Sequence, residues 1–93
     1  MKTIHEIVNN EHKTIIDVRS PQEFNSDHIP GAINIPVQEI SQKAEEIATV
    51  QKPIVVYCLS GGRSAIAAGI LQQAGIDEVY NGGGIGNMQL LLM

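Results

Sequence analysis

The segment from residue 58 to residue 64 reads Cys-Leu-Ser-Gly-Gly-Arg-Ser and places the chain's single thiol beside two glycines and an arginine. It follows an apolar, β-branched run at 54–57 and precedes a segment with helical periodicity. Glycines let consecutive backbone N–H groups turn toward one point, and the start of a helix adds partial positive charge there. Arg63 adds a full charge. Such a loop suits an anion, and the thiolate of Cys58 can be that anion.

The competing interpretation is a plain strand-to-helix turn with a solvated Arg63, because a free cysteine is often a buried small hydrophobe. The convergence of thiol, amides, guanidinium and helix start favours a reactive Cys58. Lowering a thiol pKa from about 8.5 to about 6.5 raises the ionised fraction at neutral pH from roughly 3% to roughly 75%. We therefore predict Cys58 as the nucleophile, with a binding loop formed by Leu59, Ser60, Gly61, Gly62, Arg63 and Ser64. Ser64 also has the residue type of a helix N-cap.

Short strands and helices alternate along the chain and must position this loop. Apolar runs predict strands at 14–18, 32–35, 54–57 and 78–80. Helices are predicted at 4–8, from Pro21 after the capping sequence Ser20-Pro21-Gln22-Glu23, at 39–48, and at 64–74 with Ile66, Ile70 and Leu71 on one side; a last helical turn is expected near 90–93. Alternation of this kind predicts one α/β domain with a mainly parallel sheet over residues 1–93.

Composition narrows the classes of partner. The 93 residues carry a net charge of −4 and a pI near 5.2, which argues against binding to nucleic acid or to an anionic membrane surface. No apolar stretch reaches the roughly 18 residues of a membrane helix, and the polar start does not resemble a signal peptide. We expect a cytoplasmic protein. One cysteine excludes an intramolecular disulfide, His5 and His12 lack metal-ligand spacing, and no metal or cofactor is predicted.

Four stretches together resemble the rhodanese superfamily in its single-domain form. They are IDVR at 16–19, EF at 23–24, HIPGAINIP at 28–36 and the loop CLSGGRS at 58–64. The resemblance implies a three-layer α/β domain with a central five-stranded, mainly parallel sheet. It also implies a thiosulfate sulfurtransferase, in which the cysteine takes sulfane sulfur from a donor as a persulfide and passes it to an acceptor such as cyanide or a thiol. Thiosulfate is the usual test donor of the family.

The length of the loop separates two chemistries on this fold. Four residues stand between Cys58 and Arg63, whereas the related dual-specificity phosphatases and arsenate reductases resemble Cys-x5-Arg. The shorter ring of amides leaves room for one terminal sulfur and favours sulfur transfer. In the expected reaction the amides of 59–63 stabilise the negative sulfur and Arg63 binds the sulfonate of the donor. A non-catalytic persulfide carrier and an anion-binding or partner-binding sensor module remain alternatives, with phosphatase or arsenate reductase less favoured.

Several residues depart from the family pattern or have open roles. Many relatives carry Arg directly after the cysteine, so Leu59 points to a more apolar or thiol-bearing donor, such as a small persulfide or a sulfur-relay protein. Asp17 either braces the loop or acts directly, and Arg19 is expected to pair with Glu23 or Asp27. For His28 we favour stabilisation of a turn over a role as base for the thiol. The glycines at 82–84 match the Gly-Gly element of the family.

Overall fold

Four short strands form one fully parallel sheet in the computed structural model, which describes residues 2–93. The strands are β1 (Thr14–Asp17), β2 (Ile33–Asn34), β3 (Ile54–Cys58) and β4 (Val79–Gly84). Their order across the sheet is β2-β1-β3-β4. The predicted mainly parallel sheet is confirmed, but the predicted count of five strands is wrong for the described residues. The part of the chain before β1 forms a helix with a Thr3/Glu6 capping box, so it adds no strand.

Helices cover both faces of the sheet and complete the expected three layers. They are α1 (Ile4–Val8), α2 (Pro21–Ser26), α3 (Ala44–Ile47), α4 (Gly62–Gln73) and α5 (Ile85–Leu91), with a 3-10 turn at Val37–Glu39. The predicted start of α2 at Pro21 is confirmed, because the Ser20 hydroxyl accepts from the N–H of Glu23 and the Glu23 carboxylate accepts from the N–H of Ser20. No helix within residues 2–93 is long and apolar enough to cross a membrane.

Strand β3 is buried over its whole length and divides the core into two clusters. Because successive side chains of a strand point to opposite faces, Ile54, Val56 and Cys58 pack in the cluster that contains residues of α3 and α4. Val55 and Tyr57 pack in the cluster that contains residues of α1 and α5. The thiol therefore lies on the same side of the sheet as the helix that follows it.

The helix after the loop begins two residues earlier than predicted. Gly61 is its N-cap, with φ of 101° in the left-handed region, so Ser64 is the third residue of α4 and not its cap. The buried face consists of Ser64, Ala67, Ala68 and Leu71, while Ile66 is exposed. The predicted position of Ile66 on the inner face is wrong, because it lies two residues from Ser64 and Ala68, about half a helical turn away. Gly75 follows the helix with φ of 88°, as expected of a C′ glycine.

Two other predicted elements differ from the structure in extent. The helix predicted over 39–48 is divided into the 3-10 turn and the single turn of α3, and the N–H of Lys43 is shared between the carbonyls of Glu39 and Ile40. The last strand runs through residue 84, because Gly83 and Gly84 pair with Tyr57 and Cys58 of β3. Helix α5 then replaces the predicted turn at 90–93.

Candidate active site

Cys58 is the last residue of β3, and its side chain is surrounded by hydrogen-bond donors rather than by apolar atoms alone. The N–H of Gly61 lies 3.0 Å from Sγ and that of Ser64 lies 3.4 Å from it. The hydroxyl of Ser64 is also 3.4 Å away. With 1% of its surface exposed, Cys58 has the burial of a core cysteine but the polar contacts of an anion site.

These contacts determine the acidity of the thiol. Burial raises the pKa of Cys58, while hydrogen bonds from the side chain and N–H of Ser64, and from the N–H groups of Gly61 and Ser60, lower it. The hydrogen bonds outweigh burial, so the pKa of Cys58 lies below its usual value. The predicted ring of amides at 59–63 is therefore shifted along the chain, because the N–H of Ser64 belongs to it.

Glycines of β4 hold the loop in this shape. A side chain at Gly84 would collide with the carbonyl oxygen of Leu59, and Gly61 would meet the backbone of Gly83 at 3.5 Å if it carried a Cβ. The loop therefore rests directly on the backbone of the neighbouring strand. Gly82 is skipped in the pairing with β3, since Asn81 pairs with Val56 and Gly83 with Tyr57. This bulge lies beside the candidate site, as bulges often do.

Asn81 is a site residue that the sequence reasoning missed. Its Oδ1 lies 2.6 Å from the hydroxyl of Ser64 and accepts from the N–H of Gly83 at 2.9 Å. Its Nδ2 donates to the carbonyl of Gly61 at 3.3 Å. The sequence predicts a last strand that stops at residue 80, whereas the observed strand continues through the glycines and brings Asn81 to the same sheet edge as Cys58.

Arg63 is paired with an acid from another element. Its guanidinium binds both carboxylate oxygens of Glu23 at 2.7 and 3.0 Å, with the side chains 36% and 31% exposed. Arg63 and the N–H of Ser20 lower the pKa of Glu23 to about 2, so the pair is ionised throughout the neutral range. Arg63 therefore carries the charge that the sequence predicts, but this charge is paired with Glu23, a partner that spacing alone did not assign.

The other predicted cation, Arg19, forms a closed ion pair away from the thiol. It binds Asp17 at 2.7 Å, with the two side chains 5% and 0% exposed, and donates to the backbone carbonyl of Asp27 at 2.6 Å. The prediction that Arg19 pairs with Glu23 or with the Asp27 carboxylate is thus wrong. Asp17 pairs in register with Tyr57, so its side chain points to the face opposite Cys58 and accepts from Arg19 rather than from the loop.

Tyr57, on the sheet face opposite Cys58, and His28 are each held by contacts that do not involve the thiol. The hydroxyl of Tyr57 accepts from the N–H of Ile29 at 3.0 Å, the Arg19 guanidinium lies 5.7 Å from its ring, and burial raises the pKa of Tyr57 to about 12. His28 Nδ1 lies 2.8 Å from the carbonyl of Phe24, and the two rings stack. His28 is therefore held by local contacts, as the turn interpretation expects.

The outer surface of the loop is formed by the remaining predicted residues. Leu59 is 58% exposed, and Ser60 and Gly62 are exposed as well. Ser60 contributes its N–H to the thiol. The described site thus has a polar interior around Sγ, an apolar Leu59 at its mouth and a neutralised Arg63 beside it.

Comparison with known proteins places this geometry in a family. A family model described as a rhodanese-like domain matches residues 1–86. The chain is 46% identical over 67 residues to the uncharacterized protein YqhL of Bacillus subtilis, covering 72% of this chain and 52% of that protein. It is 38% identical over 71 residues to the thiosulfate sulfurtransferase PspE of Escherichia coli, covering 75% of this chain and 68% of PspE.

A solved structure agrees with these matches. A rhodanese with anions from E. coli superimposes with a TM-score of 0.73 at 33% identity, covering 81% of this chain and 89% of that one. The similarity therefore extends from sequence to backbone. In length, however, this chain spans about half of YqhL and about two thirds of PspE.

Proposed function

The chain belongs to the rhodanese-like domain family, and we propose that it is a sulfurtransferase that carries sulfane sulfur as a persulfide on Cys58. One observation carries the proposal: the N–H groups of Gly61 and Ser64 and the Ser64 hydroxyl converge on Cys58 Sγ. The sulfur of a neutral thiol is only a weak hydrogen-bond acceptor, whereas a thiolate is stabilised strongly by each donor that reaches it. The PspE and rhodanese likenesses support the same class of reaction.

In the proposed reaction with thiosulfate, the Cys58 thiolate attacks the outer sulfur of the donor. The sulfur–sulfur bond of thiosulfate breaks, its electron pair leaves with sulfite, and a new bond joins Sγ to the transferred sulfur. The products are the Cys58 persulfide anion and sulfite, so charge and atoms balance without an external oxidant. An acceptor nucleophile, cyanide or a thiolate, then attacks the terminal sulfur and returns Cys58 to the thiolate.

Access of the donor requires movement of the loop, because Cys58 is 1% exposed. Leu59 and Ser60, which follow Cys58 in the loop, are themselves exposed, and exposed loops open more readily than a packed core. Gly61, which precedes α4 and already has a left-handed backbone, can absorb the change in backbone angles. We propose that Leu59 and Ser60 swing outward to admit a sulfur atom while the start of α4 stays in place.

The mouth of the site favours a donor with less negative charge than thiosulfate. Leu59 presents an apolar surface, and the Arg63 charge is offset by Glu23. A dianion gains little attraction from a neutralised pair. We propose a small-molecule persulfide or the persulfide of a relay protein as the preferred donor, with thiosulfate as a slower substrate. A cytoplasmic location, where such thiols are abundant, stays a prediction.

Mass measurement of the intact protein tests the reaction. Incubation with thiosulfate or glutathione persulfide should add about 32 Da, one sulfur atom, and cyanide should remove it. Cys58→Ala should take up nothing, and Ser60→Ala, which leaves every thiol contact in place, should be labelled normally. Absence of the adduct with every sulfane donor would refute the proposal.

A second candidate is a carrier that takes one sulfur and turns over slowly. The observation that favours it is the single cysteine of the 93-residue sequence, since the persulfide has no internal thiol to resolve it. Catalysis predicts thiocyanate formation far beyond one equivalent when donor and cyanide are both in excess. A carrier predicts a burst of one equivalent and then a slow rate that rises when a partner protein is added.

A further inference from the structure

The hydroxyl of Ser64 has more acceptors around it than it has hydrogens. Its Oγ lies 2.6 Å from Asn81 Oδ1, 3.1 Å from the carbonyl of Gly61 and 3.4 Å from Cys58 Sγ. A serine hydroxyl has one hydrogen to donate and lone pairs with which to accept. Whichever neighbour receives that hydrogen, the others face oxygen lone pairs. The choice of acceptor therefore affects Cys58 directly.

The orientation of the Asn81 amide is determined by its other contacts. The backbone N–H of Gly83 can only donate, so the Asn81 atom 2.9 Å from it must be the oxygen. At the other end, Nδ2 faces the carbonyl of Gly61, which can only accept. Asn81 Oδ1 is thus an obligate acceptor toward Ser64, and at 2.6 Å it is the nearest partner of the Ser64 hydroxyl.

It follows that the resting arrangement suits a neutral thiol. With its hydrogen on Asn81, Ser64 presents lone pairs to Sγ and can accept from the S–H group. When Cys58 ionises, the hydroxyl of Ser64 can add to the stabilisation that the backbone N–H groups provide only by turning its hydrogen from Oδ1 to Sγ. Asn81 and the thiolate compete for one hydrogen.

We propose that Asn81 is a positioning residue that holds the Ser64 hydroxyl hydrogen while Sγ is uncharged and yields it when Cys58 becomes a thiolate. The inference rests on the proposed role of Cys58 as the nucleophile. Before attack, negative charge is on Sγ and Ser64 donates to it. After transfer, charge moves to the outer sulfur, Sγ becomes an uncharged divalent sulfur, and Ser64 returns to Asn81. The Ser64 hydroxyl hydrogen thus points to Sγ when Sγ is charged and to Asn81 Oδ1 when it is not.

Titration of Cys58 in single and double variants tests this coupling. Thiolate formation is followed by its ultraviolet absorbance, with Cys58→Ala as the baseline that removes the contribution of the tyrosines. Asn81→Ala removes the nearest acceptor of the Ser64 hydrogen and leaves only the neutral carbonyl of Gly61 to compete with the thiolate, so it should lower the pKa of Cys58 by about 0.5 to 1 pH unit, the size of one net hydrogen bond. In a Ser64→Ala background the same substitution should change the pKa by less than half of that amount.

Matched variants separate positioning from general loosening of the glycine segment. Asn87→Ala removes the hydrogen bond from Nδ2 to the carbonyl of Gly82 but touches neither Ser64 nor Cys58, so the pKa should not move. Asn81→Asp keeps an acceptor of the same shape and makes it stronger, so the pKa of Cys58 should rise, and rise less when Ser64 is absent. This variant serves if Asn81→Ala does not fold.

Apart from the carboxylate that Asn81→Asp adds, charged groups near the thiol stay constant in this series; for that variant only the difference between the Ser64 and Ser64→Ala backgrounds reports the coupling. Glu23 raises the pKa of Arg63 most, and Cys58 raises it by a smaller amount. Neither Glu23 nor Arg63 is altered in these variants. An unchanged or raised pKa in Asn81→Ala, or an equal shift with and without Ser64, would overturn the proposal. Because the readout is thiol ionisation, it stands apart from sulfur transfer: loss of the proposed function appears as a missing mass adduct, whatever the titrations show.

Discussion

Two neighbouring strands end in polar clusters that look alike in the sequence and differ completely in the structure. Strand β1 ends at Asp17 with Arg19 close by, and β3 ends at Cys58 with Arg63 close by. In the first cluster acid and base neutralise each other under complete burial. In the second, donors converge on a single titratable sulfur whose own charge they stabilise. The first cluster holds the fold together, and the second holds a reactive group.

The two clusters differ because Asp17 and Cys58 point to opposite faces of the sheet. Asp17 pairs in register with Tyr57, one residue before Cys58, and consecutive strand residues point to opposite faces. The carboxyl ends of parallel strands meet at one edge of the sheet, yet their side chains divide between its two sides. A polar residue at the carboxyl edge of the sheet is therefore not necessarily part of the candidate active site.

The sharpest test of the comparison is removal of the thiol. Cys58→Ser should abolish the persulfide adduct completely, because a serine hydroxyl does not ionise near neutral pH and cannot carry sulfane sulfur. Its fold should survive, since the change replaces sulfur by oxygen among existing donors. Intact-mass measurement and a thermal unfolding scan check both statements. An adduct of about 32 Da on Cys58→Ser would place the chemistry elsewhere.

Removal of the buried acid should act on stability instead. Asp17→Asn leaves Arg19 charged and buried, so we expect the free energy of unfolding to fall by about 3 to 5 kcal/mol. Urea denaturation measures the loss. Asp27→Asn is the control, since Arg19 contacts residue 27 only through its backbone carbonyl. The folded fraction of Asp17→Asn should still take up sulfur. If it does not, the two clusters act as one functional unit and the comparison is wrong.

Gly84→Ala should disturb the loop at 58–64 without changing any residue of the loop itself. It would collide with the carbonyl of Leu59, and we expect a loss of about 1 to 3 kcal/mol in unfolding free energy from overpacking. Displaced amides should also raise the pKa of Cys58, measured by the pH dependence of its alkylation. The matched variant is Gly86→Ala, because a Cβ there meets nothing within 4 Å; it should be neutral or stabilising.

Loss of the Ser64 hydroxyl should have a smaller effect, which is read out as a change in the pKa of Cys58. Ser64→Ala removes the side-chain donor that lowers the pKa of Cys58, so the pKa should rise by about 1 pH unit. The thiolate fraction at neutral pH, and with it the alkylation rate, should fall accordingly. Ser60→Ala is the control, because residue 60 contributes its backbone N–H and not its hydroxyl. Equal behaviour of the two variants would contradict the assigned hydrogen bonds.

Changes in the ion pair between Glu23 and Arg63 at the mouth of the site should show the smallest effects. Glu23→Gln keeps the cap at Ser20 but frees Arg63, and we expect the KM for thiosulfate to fall about two- to fivefold. A control is Glu6→Gln, which alters the capping box of α1, where Thr3 is the partner and no arginine is involved. An unchanged KM would mean that the Arg63 charge does not reach the donor.

The same pair predicts a pH dependence of stability. The pKa of Glu23 is depressed to about 2 from an ordinary 4.5, so its contribution is complete above the unfolded value and disappears as pH falls from 4.5 toward 2. Because both side chains are about one third exposed, the amount should stay under about 1 kcal/mol. Urea midpoints of wild type and Glu23→Gln should therefore converge in acid, and a constant gap across this window would contradict the assignment.

Much of the scaffold follows from short-range signals. The helix at 4–8, the capping sequence at Ser20 and the buried run before Cys58 are each found where the sequence predicts them. Such signals succeed because the interactions join residues only a few positions apart. The start of α4 was placed too late because Ser64 has the residue type of a cap, whereas Gly61 takes that position with a left-handed backbone.

The sequence by itself determined the chemical centre of this protein: a lone thiol, two glycines and a helix start within seven consecutive residues, whose backbone amides can turn toward one point. Only the tertiary structure decided which side chains share that centre. Glu23 reaches Arg63 across 40 positions and Asn81 reaches Ser64 across 17. Those encounters depend on strand order, register and a bulge at Gly82, which arise from packing of the whole sheet.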